Sequence, residues 1–225
     1  MPIEHANGKA PRISVEGIAK SFTTGRGTLD VLADISFSVA EGETVAIVGP
    51  SGCGKSTLMS IIAGFERPDR GSVAIDGAPL RKPSSKGILI SQQGSVFPWL
   101  TVRENLMFGL NGHRFEGKQD LADHYAAMVG LKGFERSYPH ELSGGMLKRA
   151  ELARALVVKP EILYMDEPFS ALDALLSLKM RNELLRTLGD KMRETFRADI
   201  VYVALVDEAE QPRHPRRRYT VAAAS

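Results

Sequence analysis

The feature of this sequence that most restricts its fold is a glycine-rich segment between an apolar run and a helical one. Residues 44–48 read TVAIV, a short apolar run typical of a strand buried in a parallel sheet. Residues 49–57 read GPSGCGKST, which fits the pattern G-x-x-x-x-G-K-S/T. A helix is expected from Lys55 to about Ala63. This strand–loop–helix order predicts an α/β fold that carries a phosphate-binding loop.

The chemistry of a triphosphate explains the composition of this loop. Its oxygens need several backbone N–H donors, so the chain must turn tightly with little side-chain bulk, as glycines allow. We expect Lys55 to reach the β- and γ-phosphates and the Ser56 hydroxyl to bind Mg²⁺. The predicted nucleotide-binding segment comprises Gly49, Pro50, Ser51, Gly52, Cys53, Gly54, Lys55, Ser56 and Thr57.

Two interpretations without a special function are considered for this segment. The first is a glycine-rich turn with an incidental Lys-Ser pair, which the flanking strand and helix disfavour. The second concerns Cys53, which stands at a free position of the pattern and is interpreted as a small loop residue, not a redox centre.

Two carboxylates follow a second apolar run, EILYM at residues 161–165. Such a strand delivers its last side chains to the carboxyl edge of the sheet, where ligands of open α/β folds bind. We expect Asp166 to hold Mg²⁺, directly or through water, and Glu167 to act as general base on the attacking water. Taken alone, the pair would be better interpreted as a solvated turn; the glycine loop upstream favours the functional interpretation.

A third motif, LSGGM, occupies residues 142–146 and precedes a predicted helix. Ser143 is a good helix N-cap, and Gly144 and Gly145 leave backbone N–H groups uncovered at the positive helix end. By itself the motif is equally well explained as a helix cap and nothing more.

The composition excludes several other classes of protein. Apolar residues make up 43% and charged residues 25%, as in an ordinary globular chain. With 29 Lys and Arg against 27 Asp and Glu, the formal charge of +2 does not require a nucleic-acid partner, and none is expected. One cysteine cannot form an internal disulfide. No apolar run approaches the roughly 18 residues that span a bilayer, so membrane association is expected to run through a partner protein.

The remaining pattern predicts alternating strands and helices with a helical insertion. Predicted strands cover residues 13–22, 31–39, 44–48, 72–75, 87–90, 161–165 and 200–203. Predicted helices cover residues 55–63, 121–129, 145–158 and 172–188. The order indicates an α/β fold with a partly parallel sheet, interrupted by a mostly helical segment.

Three motifs therefore occur in one order: GPSGCGKST at 49–57, LSGGM at 142–146 and ILYMDE at 162–167. Together they resemble the ATP-binding subunit of an ABC transporter, because LSGG between the two nucleotide motifs marks this family among phosphate-loop NTPases. The resemblance covers roughly residues 12–209. It implies an ABC-type cassette with a partly parallel sheet, an N-terminal antiparallel β portion and a helical subdomain.

The implied domain organisation is one ATP-binding domain over residues 1–225. Its nucleotide-binding core comprises residues 12–93 and 160–209, the helical subdomain comprises 94–159, and 210–225 is expected to be a disordered tail.

The resemblance also assigns roles to residues outside the three motifs. Phe22 matches the family's aromatic that stacks on adenine, with a strand-core phenylalanine as the alternative. Gln92 matches the glutamine that joins Mg²⁺ and the attacking water and links to the transmembrane partner, and Gln93 is its rival. Residues 170–173 match the loop that packs across the dimer interface.

The family's architecture implies the partners. Two ATP-binding subunits pair head to tail, and a homodimer of this chain is expected. Ser143, Gly144 and Gly145 of one subunit are then expected to touch the ATP held by the other. Transmembrane permease subunits bind the pair, and a solute-binding protein acts indirectly through them. The subunit is then expected at the cytoplasmic face of the cell membrane, peripherally attached.

The subtype is suggested by PWLTVRENL at residues 98–106 together with LSGGM. These are similar to bacterial importers of nitrate, sulfonates and taurine. Phe97, Pro98 and Trp99 are then expected near the groove that accepts a permease coupling helix. The alternative is that Trp99 only fills the interior of the helical subdomain.

The sequence departs from the family pattern near its C-terminal end. Members carry a histidine after the strand that follows the two carboxylates, in a pattern close to VTHDVDEA. Here the strand is followed by Ala204 and Leu205 before VDEA, and His214 is a poor substitute. A frameshifted or truncated reading frame is one interpretation, and an ATP-binding subunit that hydrolyses poorly is another.

The expected function is thus an ATP-binding and ATP-hydrolysing subunit that energises a bacterial importer. The first rival is an ATP-binding pseudo-enzyme or interaction module with little turnover, because the histidine is absent. The second rival is an ABC protein of translation or DNA repair; those usually fuse two cassettes or carry long coiled-coil insertions, so a single short cassette disfavours this rival.

Overall fold

The computed structural model describes residues 11–25, 27–50, 52–91, 96–110, 117–166, 201–207 and 220–224. The chain divides into two compact units, residues 1–89 with 161–225 and residues 90–160. The predicted helical subdomain, 94–159, lies within the second unit.

The first unit contains an antiparallel sheet of four strands in the order β2-β1-β4-β5. Its strands are β1 (Ile13–Thr24), β2 (Gly27–Val39), β4 (Arg70–Ile75) and β5 (Ala78–Pro79). β1 lies between β2 and β4, with Ile13 opposite both Val39 and Ile75. The alternation of apolar residues that predicted strands at 13–22 and 31–39 arises because one face of this sheet is buried.

The same unit contains a five-stranded sheet in the order β6-β7-β8-β3-β9. Its strands are β3 (Thr44–Gly49), β6 (Gly87–Ile90), β7 (Ile162–Met165), β8 (Val201–Asp207) and β9 (Thr220–Ala224). β8 runs parallel to both β3 and β7, and β9 runs antiparallel to β3. The helix α1 (Lys55–Ile62) follows β3, as the sequence predicted.

Two sequence predictions near the C-terminal end are wrong. The strand expected to end at residue 203 continues to Asp207, because Ala204, Leu205 and Val206 extend the parallel pairing with β3. Within the segment 210–225, which is predicted to be a disordered tail, Thr220–Ala224 forms β9, whereas residues 210–219 lie outside the described residues. The small and β-branched residues of β9 pair with β3 along the edge of that strand that faces away from β8.

The second unit is helical. It contains α2 (Val102–Gly109), α3 (Lys118–Met128), a 3₁₀ turn at Pro139–Glu141 and α4 (Gly144–Leu156). α2 begins with a capping box: the Thr101 hydroxyl accepts from the Glu104 N–H, and the Glu104 carboxylate accepts from the Thr101 N–H at 2.8 Å. The predicted helices at 121–129 and 145–158 correspond to α3 and α4.

The core of the first unit joins its two sheets through α1. Ile13 and Val39 from the antiparallel sheet belong to the same buried cluster as Ile47 of β3, Leu58 of α1 and Tyr164 of β7. This packing fixes α1 against the sheet, and therefore fixes the loop that joins β3 to α1.

Among the described residues, no helix is long and apolar enough to cross a membrane.

Candidate phosphate-binding site

The loop between β3 and α1 is shaped by two left-handed glycines. Gly52 has φ 73° and Gly54 has φ 108°, which side chains with a Cβ rarely adopt. The Cys53 N–H donates to the Pro50 carbonyl at 3.2 Å and closes the turn. Gly54 is the N-cap of α1, makes no side-chain cap, and no acidic residue occupies the first turn. The positive end of the helix is therefore neither capped nor neutralised by its own side chains, as an anion site requires.

The lysine of this loop is buried against the loop itself. Lys55 is only 5% exposed, and its ammonium donates to the carbonyls of Gly49 at 2.9 Å and Pro50 at 3.1 Å. These contacts hold the cation beside the backbone that the phosphates are expected to approach.

The serine and the first carboxylate of the two motifs meet across the sheet edge. The Ser56 hydroxyl donates to the Asp166 carboxylate at 3.5 Å, although the residues are 110 positions apart in the chain. Asp166 directly follows β7, and β3 lies two strands away in the same sheet. A hydroxyl and a carboxylate are hard oxygen ligands that suit Mg²⁺. In the described part of the chain, no group of three or more His, Cys, Asp or Glu side chains that could hold a metal occurs.

The register of the parallel strands sets which residues reach this edge. Gly49, the first residue of the loop, is opposite Asp207 of β8, whereas Ala204 is opposite Ala46 and Leu205 is opposite Ile47. Ala204 and Leu205 therefore lie inside the ladder, and Asp207 is the β8 residue at the level of the loop.

The aromatic candidate lies on β1. Phe22 is 38% exposed, which disagrees with the alternative of a strand-core phenylalanine. The ammonium of Lys20 lies 5.2 Å from the centre of its ring. The hydrogen bond to Glu66 raises the pKa of Lys20, so this ammonium is charged at neutral pH.

The signature motif forms a helix start in the second unit. The Ser143 hydroxyl accepts from the Met146 N–H at 3.3 Å and caps α4, as predicted. A Cβ added at Gly144 or Gly145 would meet nothing within 4 Å, so these glycines leave open space. The contact of Ser143, Gly144 and Gly145 with a second subunit's ATP stays a prediction.

The second unit also has an aromatic cluster of Phe97, Trp99 and Phe108, in which Trp99 and Phe108 are exposed and Phe97 is half-buried. The ring centres of Phe97 and Trp99 are 5.3 Å apart, and those of Phe97 and Phe108 are 4.5 Å apart. Trp99 is 69% exposed, so the alternative that it fills the interior of this unit is wrong. Arg154 of α4 lies with its guanidinium 4.2 Å from the centre of the Phe97 ring.

Sequence reasoning missed two of these contacts. Arg154 is separated from Phe97 by a whole helical segment, and Lys20 was not distinguished from other charged residues of β1. Arg154 lies on α4, the helix that begins at the signature motif, and this position is a weak indication in the sequence that Arg154 lies near other residues of interest.

Several predicted site residues lie outside the described residues. These are Ser51, Gln92 with its rival Gln93, the proposed base Glu167, the residues 170–173 and His214. Their roles stay predictions from the sequence.

Comparison with known proteins places this loop, carboxylate and signature helix in a family. The family model described as ABC transporter matches residues 32–170. The chain belongs to the ABC transporter family. It is 43% identical over 179 residues to the aliphatic sulfonates import ATP-binding protein SsuB of Bacillus cereus, covering 80% of this chain and 71% of that protein. It is 40% identical over 187 residues to the uncharacterized ABC transporter ATP-binding protein MJ0412 of Methanocaldococcus jannaschii, covering 82% of this chain and 70% of that one.

A solved structure agrees with the fold. The ATP-binding cassette MJ0796, in a dimeric post-hydrolysis state bound to ADP and Pi, superposes with a TM-score of 0.71 at 27% identity. The match covers 86% of this chain and 87% of that one. The predicted family, the α/β cassette fold and the class of ABC-type ATPase are confirmed.

Proposed function

We propose that this chain binds ATP with Mg²⁺ and hydrolyses it to energise a bacterial importer of a small oxyanion, such as a sulfonate, taurine or nitrate. The observation that carries the nucleotide site is the 3.5 Å contact of Ser56 with Asp166 beside a loop whose lysine is buried. The class of solute is supported by the 43% identity to a protein of aliphatic sulfonate import.

Each residue has a distinct task in this proposal. The α1 N-terminus and Lys55 bind the β- and γ-phosphates, and Phe22 stacks on the adenine. Ser56 and Asp166 hold Mg²⁺ together with Gln92, and Glu167 takes the proton of the attacking water. When bound, the magnesium ion neutralises charge that develops on the phosphates.

The proposed assembly follows the family's head-to-tail dimer, which the dimeric neighbour structure supports coarsely. In this arrangement Ser143, Gly144 and Gly145 cover the ATP of the second subunit. The aromatic cluster of Phe97, Trp99 and Phe108, through its exposed Trp99 and Phe108, faces a permease subunit at the cytoplasmic side of the membrane. A solute-binding protein delivers the solute to that permease.

The metal assignment is tested by the Mg²⁺ dependence of ATP affinity, measured by calorimetry. Ser56→Ala and Asp166→Asn are each expected to reduce the gain in affinity that Mg²⁺ gives the unmodified protein. Ser60→Ala, one turn further along α1, is the matched control and should keep the full gain. An unchanged Mg²⁺ dependence in both site variants contradicts the assignment.

The transport proposal is tested in cells. Deletion of the gene should abolish growth on one of taurine, an alkanesulfonate or nitrate supplied as sole sulfur or nitrogen source, and the intact gene should restore it. Normal growth of the deletion strain on all three contradicts the proposed solute class.

One specific observation favours a second candidate, a nucleotide-dependent module that closes on ATP with little turnover. Ala204 and Leu205 lie inside the β8 ladder where the family pattern has Thr-His-Asp, and neither side chain can donate a hydrogen bond. Steady-state phosphate release separates the two candidates.

A further inference from the structure

The contacts of Lys20 point to a residue that prepares the base-binding surface. We propose that Lys20 is a positioning residue: its ammonium holds the Phe22 ring ready for stacking and links that ring to the helix of the phosphate loop. This inference rests on the proposed function, because it assumes that Phe22 receives the base.

Lys20 is held by several oxygens at once. Its ammonium contacts the Glu66 carboxylate at 2.7 Å and the Asp69 carboxylate at 3.4 Å, and it donates to the Arg67 carbonyl at 2.8 Å. Its side chain is only 11% exposed. An ammonium with these partners has little freedom, so it presents a fixed positive charge to the Phe22 ring 5.2 Å away.

The segment that holds Lys20 is itself attached to α1. The Glu66 N–H donates to the Ser60 carbonyl in the last turn of α1 at 3.2 Å. The Asp69 N–H donates to the Ala19 carbonyl at 2.9 Å, and the Ser21 N–H donates back to the Asp69 carboxylate at 2.7 Å. A continuous set of hydrogen bonds therefore connects α1 to the part of β1 that bears Phe22.

The physical consequence is preorganisation. An exposed phenylalanine must give up side-chain freedom when a base stacks on it, and a ring already held by a cation gives up less. Because Phe22 keeps 38% of its surface exposed, the cation leaves room for a base. The benefit applies to a ligand with a base and not to the phosphates alone.

The test compares ATP with inorganic tripolyphosphate, which has the phosphates but no base, using calorimetry in the presence of Mg²⁺. Lys20→Met keeps an unbranched side chain one atom shorter than that of lysine and removes the charge. We expect this variant to bind ATP about fivefold more weakly and to bind tripolyphosphate with unchanged affinity. Lys20→Arg keeps a cation and should retain ATP affinity within about twofold. The matched control is Lys82→Met, an exposed lysine of the same unit, which should change neither affinity.

A double-mutant cycle shows whether Lys20 acts through the ring. In a Phe22→Ala background, Lys20→Met should cause no further loss of ATP affinity. A loss that is the same with and without the ring contradicts the inference, as does an equal loss for ATP and tripolyphosphate, which indicates a merely structural role.

The outcomes also separate this inference from the proposed function. If Phe22→Ala lowers the affinity for ATP but Lys20→Met does not, only the positioning role of Lys20 is wrong. If Phe22→Ala leaves ATP affinity unchanged, the base contact is wrong and the positioning role falls with it. Should Lys20→Met fail to fold, Glu66→Gln is the second variant, because it removes one of the charges that hold the Lys20 ammonium. It should lower the affinity for ATP about twofold and leave the affinity for tripolyphosphate unchanged. An unchanged ATP affinity contradicts the inference.

Discussion

Lys55 illustrates how a single buried charge serves this site. Its ammonium lies against the Gly49 and Pro50 carbonyls, on a loop whose shape depends on left-handed glycines. We expect a compact cation at this place to attract the β- and γ-phosphates, which carry most of the negative charge of ATP.

Lys55→Ala should therefore lose ATP affinity by about 2–4 kcal/mol, the range expected when a charge-assisted contact is broken. Calorimetry on ATP with Mg²⁺ measures the loss, and Lys132→Ala, at an exposed position, should show none. Unchanged affinity in the Lys55 variant would refute the assignment of the phosphate loop.

At this scale the sequence predicts residues that belong to short contiguous motifs. Lys55 and Ser56 are predictable because a strand, a turn and a helix start lie within a few positions of each other, and Asp166 because it directly follows an apolar run. Lys20 is not, because its partners Glu66 and Asp69 are more than forty positions away and no local pattern marks them. Contacts of that kind are set by the tertiary fold.

Among the elements, β6 and β7 show how closely two strands near the site approach. A Cβ added at Gly87 would lie 2.7 Å from Cε2 of Tyr164. Tyr164 is 2% exposed, so its ring is enclosed by protein atoms, and this burial raises the pKa of its hydroxyl.

Gly87→Ala should therefore destabilise the protein by about 1–3 kcal/mol, as expected for overpacking a core. Urea unfolding followed by circular dichroism measures the change. Gly25→Ala is the matched control, because a Cβ there would meet nothing within 4 Å and its φ is not left-handed; it should be nearly neutral. Equal stability of both variants contradicts the close packing of Tyr164 on Gly87.

A second element-scale feature is the ion cluster that joins the ends of β1, β4, β6 and β7. The guanidinium of Arg12 contacts Asp76 at 2.9 Å and Glu161 at 3.0 Å, and Lys86 contacts Asp76 as well. The hydrogen bond from Lys86, followed by that from Arg12, holds the pKa of Asp76 below its ordinary value. A carboxyl group whose pKa is lowered by folding contributes stability above its unfolded pKa of about 3.9, and this contribution is lost as the pH falls through the folded pKa.

Asp76→Asn isolates this contribution, because asparagine tolerates the left-handed backbone of residue 76, whose φ is 51°. At pH 7 the variant should be less stable by about 1 kcal/mol, a modest value because the cluster is partly exposed to solvent. Urea unfolding at pH 7, 5, 4 and 3 should show that the difference in the free energy of unfolding between the two proteins shrinks as the pH falls. A constant difference across this range contradicts the role of the Asp76 charge.

The fold at this scale was predictable where apolar periodicity is strong. The strands near residues 13–22 and 44–48 and the helix after residue 55 follow from local pattern and turn chemistry. The end of β8 and the existence of β9 are not predictable in this way, because an Ala-Leu-Val or Val-Ala-Ala-Ala segment has no strong preference for the strand conformation. Pairing with β3 decides both.

For the whole molecule, the central expectation is a dimer that closes on ATP. Glu167→Gln should bind ATP and prolong the closed dimer, because an amide preserves the shape of the side chain but cannot accept the proton of water. Light scattering or gel filtration with ATP measures the dimer fraction, with Glu161→Gln, a carboxylate six positions earlier, as the control. If the Glu167 variant dimerises and hydrolyses ATP like the unmodified protein, Glu167 is not the base.

We expect the rate of the whole cycle to depend on the residue that stands at the end of β8. The family pattern has a histidine there, and the resemblance implies that it contacts the γ-phosphate and keeps the attacking water in register with Glu167. In this chain Ala204 and Leu205 pair with Ala46 and Ile47 inside the sheet, and Asp207 is the residue opposite Gly49.

Positioning and electrostatic stabilisation supply most of the catalysis in phosphoryl transfer, so the loss of one such group should be costly. We expect ATP turnover at least ~100-fold below that of a relative with the histidine, equivalent to about 2.7 kcal/mol of transition-state stabilisation. Replacing Ala204-Leu205 by Thr-His-Asp should recover part of the rate in a steady-state phosphate-release assay. Replacement by Thr-Ala-Asp, which has the same length without the imidazole, should not. If the unmodified chain already hydrolyses ATP at the rate of such a relative, the histidine is dispensable in this protein and another group performs its task.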